Sequence, residues 1–383
     1  MAEQQRWNIF TDEHEALRVS VRDFIAREIH PHVEQWERDE DFPRALYKRF
    51  GELGLLGLKY EEEYGGSGPD LLADAVVNEE LALCGSAGVA AGIGGHKDLG
   101  SYYVYRFGND EQRRRWLVPS VAGDIIGALA VTEPNAGSDV AGLQTRATRD
   151  GEHYVLNGQK AFITNGSKAD YVVVAVRTGG DGYGGISLIV VERETPGFST
   201  RRMDTVGWRT SHTGELFFDD CRVPAENLLG EENKGFVYIM QNFQWERIIM
   251  ALGAVAASQK ILDMAIAYAK ERHAFGRPVS KFQVWRHRFA DLETEIAAAR
   301  ALTYHALRKF AAGEDALREV SMAKWLACEL DWKVADEALQ VHGGYGYMME
   351  FPVQRAWRDA RLGPIGGGTT EIMKEIIAKQ IGL

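Results

Sequence analysis

With 383 residues the chain is too long for one compact core and calls for two or three packed units. Its 45% hydrophobic, 26% charged and 10% aromatic residues are ordinary for a globular protein and make disorder or a fibre a poor reading. A formal net charge of −11 argues against a general nucleic-acid binder, which needs a basic surface to displace phosphate counterions.

Cys84, Cys221 and Cys328 have neither metal-ligand spacing nor partners for a disulfide framework, so a reducing, cytoplasmic setting and no metal site are expected. The opening MAEQQRWNIFTDEHEALRVSVRDF lacks the basic and apolar regions of a signal peptide. No run of 18 consecutive apolar residues is present, so no membrane span is expected.

From Thr11 to about Gly123 the pattern is helical. Leu17, Val21, Phe24 and Ile25 recur at helical steps, Leu71 to Leu83 continues the style, and Thr11 suits an N-cap. The run Tyr64 to Pro69, rich in glycine, marks a loop. From about Ile126 the pattern turns to strands, with β-branched runs at Tyr171–Val176 and Ile186–Val191. Asn157-Gly158, between Tyr154–Leu156 and Lys160–Ile163, reads as a two-residue hairpin turn. After Gly230–Gly235 helical periodicity returns: Ile248, Leu252, Val255, Leu262 and Ile266 form a stripe, and the segments 284–310 and 316–340 have helix length. The expected organisation is α+β: an all-helical unit over residues 1–125, a small antiparallel β-barrel or sandwich over 126–230, and a helical bundle over 231–383.

Val131-Thr132-Glu133-Pro134-Asn135-Ala136-Gly137-Ser138-Asp139 is the first run with chemical content. Its small residues and backbone N–H groups could approach a phosphate or a flat ring, although alone it reads first as a surface turn. Neither GxGxxG after a strand nor GxxxxGK[ST] occurs, so a Rossmann site and a P-loop lack support. Read with Asn157–Gly166 (NGQKAFITNG), Glu271–Gly276 (ERHAFG), Gln340–Gly346 (QVHGGYG) and Arg358–Arg361 (RDAR), this run resembles the acyl-CoA dehydrogenase family, in order and across nearly the whole chain.

The resemblance implies a helical N-terminal domain, a β middle domain and a C-terminal four-helix bundle, with FAD as cofactor and an acyl-CoA as substrate. It implies that Leu129, Val131 and Thr132 lie along the flavin, with Thr132 and Thr164 bonding near its reactive ring. Gly137 and Ser138 would hold the pyrophosphate or the CoA arm, and Phe162, where many relatives have Trp, would pack on the ring system. Arg272, Phe275, Gln283, Gln340, Gly343 and Gly344 would reach the adenine half of FAD from a neighbouring subunit, which implies an oligomer, in this family usually a homotetramer or dimer. By themselves, Arg272 reads as a solvated helix end and the two threonines as local hydrogen-bonding residues.

Oxidation of an acyl-CoA requires a carboxylate to remove the α-proton while the β-hydrogen leaves as hydride to flavin N5. Many family members supply it from a Glu-Gly-Thr run near the C-terminus. Here that run is Ile365-Gly366-Gly367-Gly368-Thr369-Thr370-Glu371, and Gly367 has no side chain. A subset resembling this chain, including isovaleryl-CoA and long-chain acyl-CoA dehydrogenases, carries the base on a helix of the C-terminal domain. The matching residue is Glu246, on a helical face shared with Ile249, Met250 and Gly253, where apolar surroundings would raise a carboxylate pKa toward working pH. The resemblance implies that Gly367 would still act through its N–H, a donor to the thioester oxygen as the enolate develops. Ser138, Phe243, Arg247 and Gly368 are the implied substrate contacts, while Thr369 and Glu371 open a helix whose N-terminus favours an anion or a flavin carbonyl. Arg247 reads equally as a surface cation, and Glu371 as an ordinary acidic first turn.

The implied activity is dehydrogenation of a medium- or long-chain or related acyl-CoA in fatty-acid β-oxidation, with electrons passing to an electron-transfer flavoprotein. Enoyl-CoA reduction, a flavin oxidase or monooxygenase on the same fold, and a silent scaffold lacking a base stay open as alternatives. His96-Lys97 could pair with an ω-carboxylate on the acyl chain, or be a solvated loop pair. His342 reads as structural.

Overall fold

The structure, a computed structural model, describes residues 9–383. Residues 1–8, the first part of the segment read above as lacking a signal sequence, lie outside the described residues.

Thr11 caps α1 (Asp12–Glu28): its hydroxyl accepts the His14 N–H while His14 Nδ1 accepts the Thr11 N–H. Val21, Phe24 and Ile25 turn inward, as their spacing requires. The chain continues through α2 (Val33–Asp39), α3 (Ala45–Glu52) and α4 (Leu71–Ala82), the last capped by Asp70. Then follow α5 (Ala87–Gly94), a π-helical turn over Gly95–Gly100, α6 (Ser101–Phe107) and the short α7 (Asp110–Gln112) and α8 (Val118–Val121).

Strands β1 (Gly127–Ala130), β2 (Arg146–Asp150), β3 (His153–Ile163), β4 (Tyr171–Arg177), β5 (Ile186–Glu192), β6 (Phe198–Arg202), β7 (Gly214–Pro224) and β8 (Leu228–Leu229) form one sheet. Its path is β6-β7-β3-β2-β4-β5-β8, with β1 beside β4. It is mostly antiparallel, but β1 and the end of β2 run parallel to β4, a mixture that the antiparallel expectation did not include. The β-branched runs are strands buried on both faces. Val173 and Ala175 of β4 face one apolar cluster, with α9 (Gly235–Glu271) and the later helices; Val172, Val174 and Val176 face the other, with α1 and α3.

Asn157-Gly158 is not a turn. β3 runs straight through it, the β2–β3 hairpin closes instead between Asp150 and His153, and the register against β7 shifts at Leu156/Gly158. Gly158 (φ 144°) is a bulge: a Cβ there would lie 2.7 Å from Thr145 Oγ1, and Asn157 is spent on Asp220.

After α9 come a hairpin of β9 (His273–Ala274) and β10 (Arg277–Pro278), then α10 (Gln283–Ala311), α11 (Leu317–His342), α12 (Pro352–Ala360) and α13 (Thr370–Gln380). α9, α10 and α11 pack on one another, and α13 lies on α11 as the fourth member. By length and composition α9 could cross a bilayer, but it packs against α4, α10 and α11 and buries Trp245, Arg247 and Ile248, so it is a core helix.

Candidate active site

The loop leaving β1 is shaped by an ion pair that sequence reading did not single out. The Glu133 carboxylate accepts from the N–H groups of Gln144 (2.6 Å) and Thr145 (2.9 Å) and from Lys160 Nζ (2.7 Å), which also donates to the Val131 carbonyl at 3.0 Å. Burial pushes Lys160 down to about 8. Against its own burial, Glu133 is held below the usual carboxylate range by Lys160 and these hydrogen bonds. A signal was available: Lys160 is one strand period before Phe162, inside an otherwise apolar strand end, where a cation needs a buried anion.

The clamped loop lies against the end of β3, where the Ala161 N–H meets the Thr132 carbonyl at 2.9 Å. Phe162 is 63% exposed and sits at φ 61°, a conformation that costs energy for a side chain of its size. The hydroxyls of Thr132 and Thr164 have no hydrogen-bond partner among the described residues. A Cβ built on Gly137 would meet nothing within 4 Å, and Ser138 beside it is exposed. Leu129 and Val131 belong to the apolar cluster that also takes in Phe243 and Met250 of α9.

The π-turn joins this region to α9. A Cβ on Gly95 would lie 2.9 Å from Thr164 Cγ2, and Asp98 accepts Trp245 Nε1–H at 2.9 Å. Asp98 and Asp74 are in turn bonded by Lys59 and Lys97, all four fully buried. Lys97 is therefore committed. His96 is held between the Ser120 carbonyl (3.1 Å) and the Gly127 N–H (3.0 Å), with burial pushing it down to about 4. Neither can meet an ω-carboxylate, and the expectation for this pair is corrected: a buried π-turn, not a loop, carries them.

Glu246 follows Trp245 on α9. Its Oε2 is buried with no hydrogen-bond partner among the described residues. Burial raises its carboxyl to about 7, with Arg247 and Lys324 opposing. Gly367 (φ 62°) faces it across the chain: a Cβ there would stand 2.5 Å from Met250 Sδ and 3.7 Å from Glu246 Oε1. The Gly367 N–H has no partner among the described residues, while its carbonyl accepts Arg247 Nε–H at 3.2 Å. Arg247 is buried with its guanidinium 5.6 Å from the centre of the Phe243 ring, so it is not the surface cation that its position also allowed. Gly368 is at φ 96°, and Thr369 caps α13 by accepting the Ile372 N–H; Glu371 is exposed in the first turn.

The remaining candidates lie elsewhere. Arg272, at the far end of α9, is about 40 Å from Glu246 by helical rise. Its guanidinium is 5.9 Å from the Tyr345 ring, which draws together the β9–β10 hairpin and the run following α11. Phe275 at the hairpin tip is 96% exposed, and Gln283, Gln340, Gly343 and Gly344 are exposed too. His342 is structural: Nδ1 bonds the Ala338 carbonyl at 2.7 Å and the ring stacks on Tyr268. The Arg358–Arg361 run is a junction. Asp359 accepts the Trp208 N–H at 2.7 Å and the Ala87 N–H at 3.3 Å, tying the C-terminal helices to the other two regions.

Family models for the N-terminal, middle and C-terminal domains of acyl-CoA dehydrogenase match residues 11–124, 128–221 and 233–382. The chain belongs to the acyl-CoA dehydrogenase family. It is 43% identical over 377 residues to a mitochondrial long-chain specific acyl-CoA dehydrogenase of Sus scrofa, covering 97% of this chain and 87% of that protein. A solved acyl-CoA dehydrogenase from Geobacillus kaustophilus superposes with a TM-score of 0.95 at 44% identity, covering 98% of this chain and all of that one. A glutaryl-CoA dehydrogenase from Mycobacterium smegmatis, solved in complex with FADH2, superposes at 0.91 with 30% identity, covering 97% of this chain and 95% of that one. The acyl-CoA dehydrogenase family consists of FAD-dependent oxidoreductases. The residues here fit that cofactor: an exposed aromatic plane at Phe162, hydroxyls at Thr132 and Thr164 without partners among the described residues, and open backbone at Gly137.

Proposed function

We propose that this acyl-CoA dehydrogenase oxidises a medium- or long-chain or related acyl-CoA at its α,β carbons, with Glu246 as base and an electron-transfer flavoprotein as electron acceptor. The observation that carries the choice of base is the convergence at Gly367. A side chain there would enter the space of Met250 and come within 3.7 Å of the Glu246 carboxyl, so a carboxylate reaches one place from either of two chain positions. A buried carboxyl with a pKa near 7 is matched to taking a proton at neutral pH.

FAD, when bound, would supply the acceptor for the β-hydrogen. Phe162 would present a face to its ring system, Thr132 and Thr164 would offer it hydrogen bonds, and Leu129 and Val131 would lie along it. Gly137 and Ser138 leave room for a phosphate or the CoA arm, and Thr369 and Glu371 flank the N-terminus of α13. Gly367 N–H donates to the thioester oxygen while Glu246 withdraws the α-proton, and Phe243, Arg247 and Gly368 hold the CoA side of the thioester. Arg272, Phe275, Gln283, Gln340, Gly343 and Gly344 serve the adenine end of a neighbouring subunit's FAD, in a cytoplasmic homotetramer. The distance of Arg272 from Glu246 along α9 supports that assignment.

Mixing FAD-loaded protein anaerobically with C4–C16 acyl-CoAs, branched and ω-carboxyl forms included, should bleach the visible flavin band for the true substrate class. Glu246→Gln should slow bleaching by about 10³-fold while FAD stays bound. No bleaching of the wild-type protein by any thioester would end the reading; fast bleaching of the variant would end the assignment of the base.

A further inference from the structure

Lys324 of α11 is fully buried, and no carboxylate lies within ion-pair distance of it among the described residues. Its ammonium donates to the carbonyls of Gly363 (2.9 Å) and Gly368 (2.6 Å). Burying a cation on neutral acceptors is costly, and an apolar side chain of the same length would fill the space more cheaply. The cost falls at one place: the turn between α12 and α13 that contains Gly367. There the carbonyls of Gly363 and Gly368 are tied by Lys324 and that of Gly367 by Arg247, while the Gly367 N–H has no partner among the described residues. Gly367 and Gly368 both have positive φ and no side chain to pack, so at these two residues the turn is held through its backbone.

We propose that Lys324 is a positioning residue, strapping the Gly363–Gly368 turn to α11 so that the Gly367 N–H faces the thioester oxygen beside the Glu246 carboxyl. This rests on the roles assigned above to Gly367 and Glu246. The strap has an electrostatic side. Glu246 is faced by Arg247 from its own helix, by Lys324 from α11 and by Tyr103 from α6. Lys324 in turn feels Cys328 and Glu329 of α11 and Arg247 and Glu246 of α9. The Lys324 charge favours the ionised base, and loss of that charge moves Glu246 ionisation to higher pH.

The test uses the full-length, FAD-loaded protein and the variants Lys324→Met, which keeps the stem, and Lys324→Arg, which keeps the charge. The probe is a 3-thia-acyl-CoA series: sulfur replaces the β-carbon, so the α-proton can leave but no β-hydride can follow. Enolate formation is read from long-wavelength absorbance against pH, and backbone order from amide hydrogen exchange. In Lys324→Met the enolate fraction at pH 7 should fall about tenfold, with its midpoint at higher pH. Exchange should quicken in peptides covering 363–370 and not along α11, and Lys324→Arg should keep its midpoint near wild type. Unchanged exchange in that turn overturns the strap, as does faster exchange along all of α11 with loss of FAD, which would mark a merely structural residue. A quickened turn with an unchanged enolate midpoint overturns its link to catalysis. Wild-type protein that forms no enolate with any chain length overturns the acyl-CoA reading instead, while the exchange data still decide the strap.

Discussion

The Glu246 carboxyl has a folded pKa raised by burial to about 7 from an ordinary 4.5. Between those values the native state binds more protons than the unfolded chain, so stability falls as pH rises through the window and the cost is complete above it. Glu246→Gln should therefore stabilise the protein at pH 8, by on the order of 1–3 kcal/mol, and the gain should vanish near pH 4. Thermal midpoints of both proteins across pH 4–9 would check this. An equal difference at both ends, or a less stable Gln variant at pH 8, would refute it. Gly367 was legible as a missing base because a vacancy in a motif shows in the letters. The space it leaves was not legible, because Glu246 and Met250 reach it from 121 and 117 residues away.

At the level of the element, β3 and its neighbouring loop act as one unit through Lys160 and Glu133. Removing the cation alone leaves a carboxylate buried at 6% exposure without its partner. Lys160→Met should cost about 3–5 kcal/mol and loosen FAD, since the loop from Val131 to Ser138 loses its anchor. Adding Glu133→Gln should recover part of the loss by removing the stranded charge. Denaturant midpoints and the flavin-to-protein absorbance ratio measure both effects; a loss under about 1 kcal/mol for Lys160→Met would count against this account. The same strand shows the limit of local signals. Asn-Gly suits a turn and a bulge alike, and the partner strand β7 with Thr145 at its back decided for the bulge.

At the scale of the whole molecule, α9 (Gly235–Glu271) separates Glu246 from the Arg272 hairpin at its C-terminal end by about 40 Å. The hairpin tip with Phe275 at 96% exposure, and Tyr347 at 86% nearby, leaves aromatic surface that a second subunit would cover. Phe275→Ala with Arg272→Ala should lower FAD retention several-fold and weaken assembly, yet leave the Glu246 pKa effect on stability unchanged. Light scattering after gel filtration, with flavin content of each fraction, checks this. Full FAD retention in a dissociated protein would place the adenine site within one chain. Within the chain, Asp359 joins all three regions through the N–H groups of Ala87 and Trp208, so a motif quoted for its family resemblance turns out to be a joint.

Periodicity and caps, which depend on neighbours along the chain, were enough to determine the helical–β–helical order, the Thr11 cap and the strands at the β-branched runs of β4 and β5. Motif order was enough for the family, and the pairing of Gly367 with Glu246 for a candidate base. Only the tertiary structure decided that Lys97 joins a buried cluster with Lys59, Asp74 and Asp98 while His96 is held by backbone groups of Ser120 and Gly127, that Glu133 belongs to Lys160, and that Lys324 reaches the Gly363–Gly368 turn. Each of these is a buried polar contact between distant residues. A buried charge must find a partner, but nothing in its local sequence says which of many distant groups will supply it.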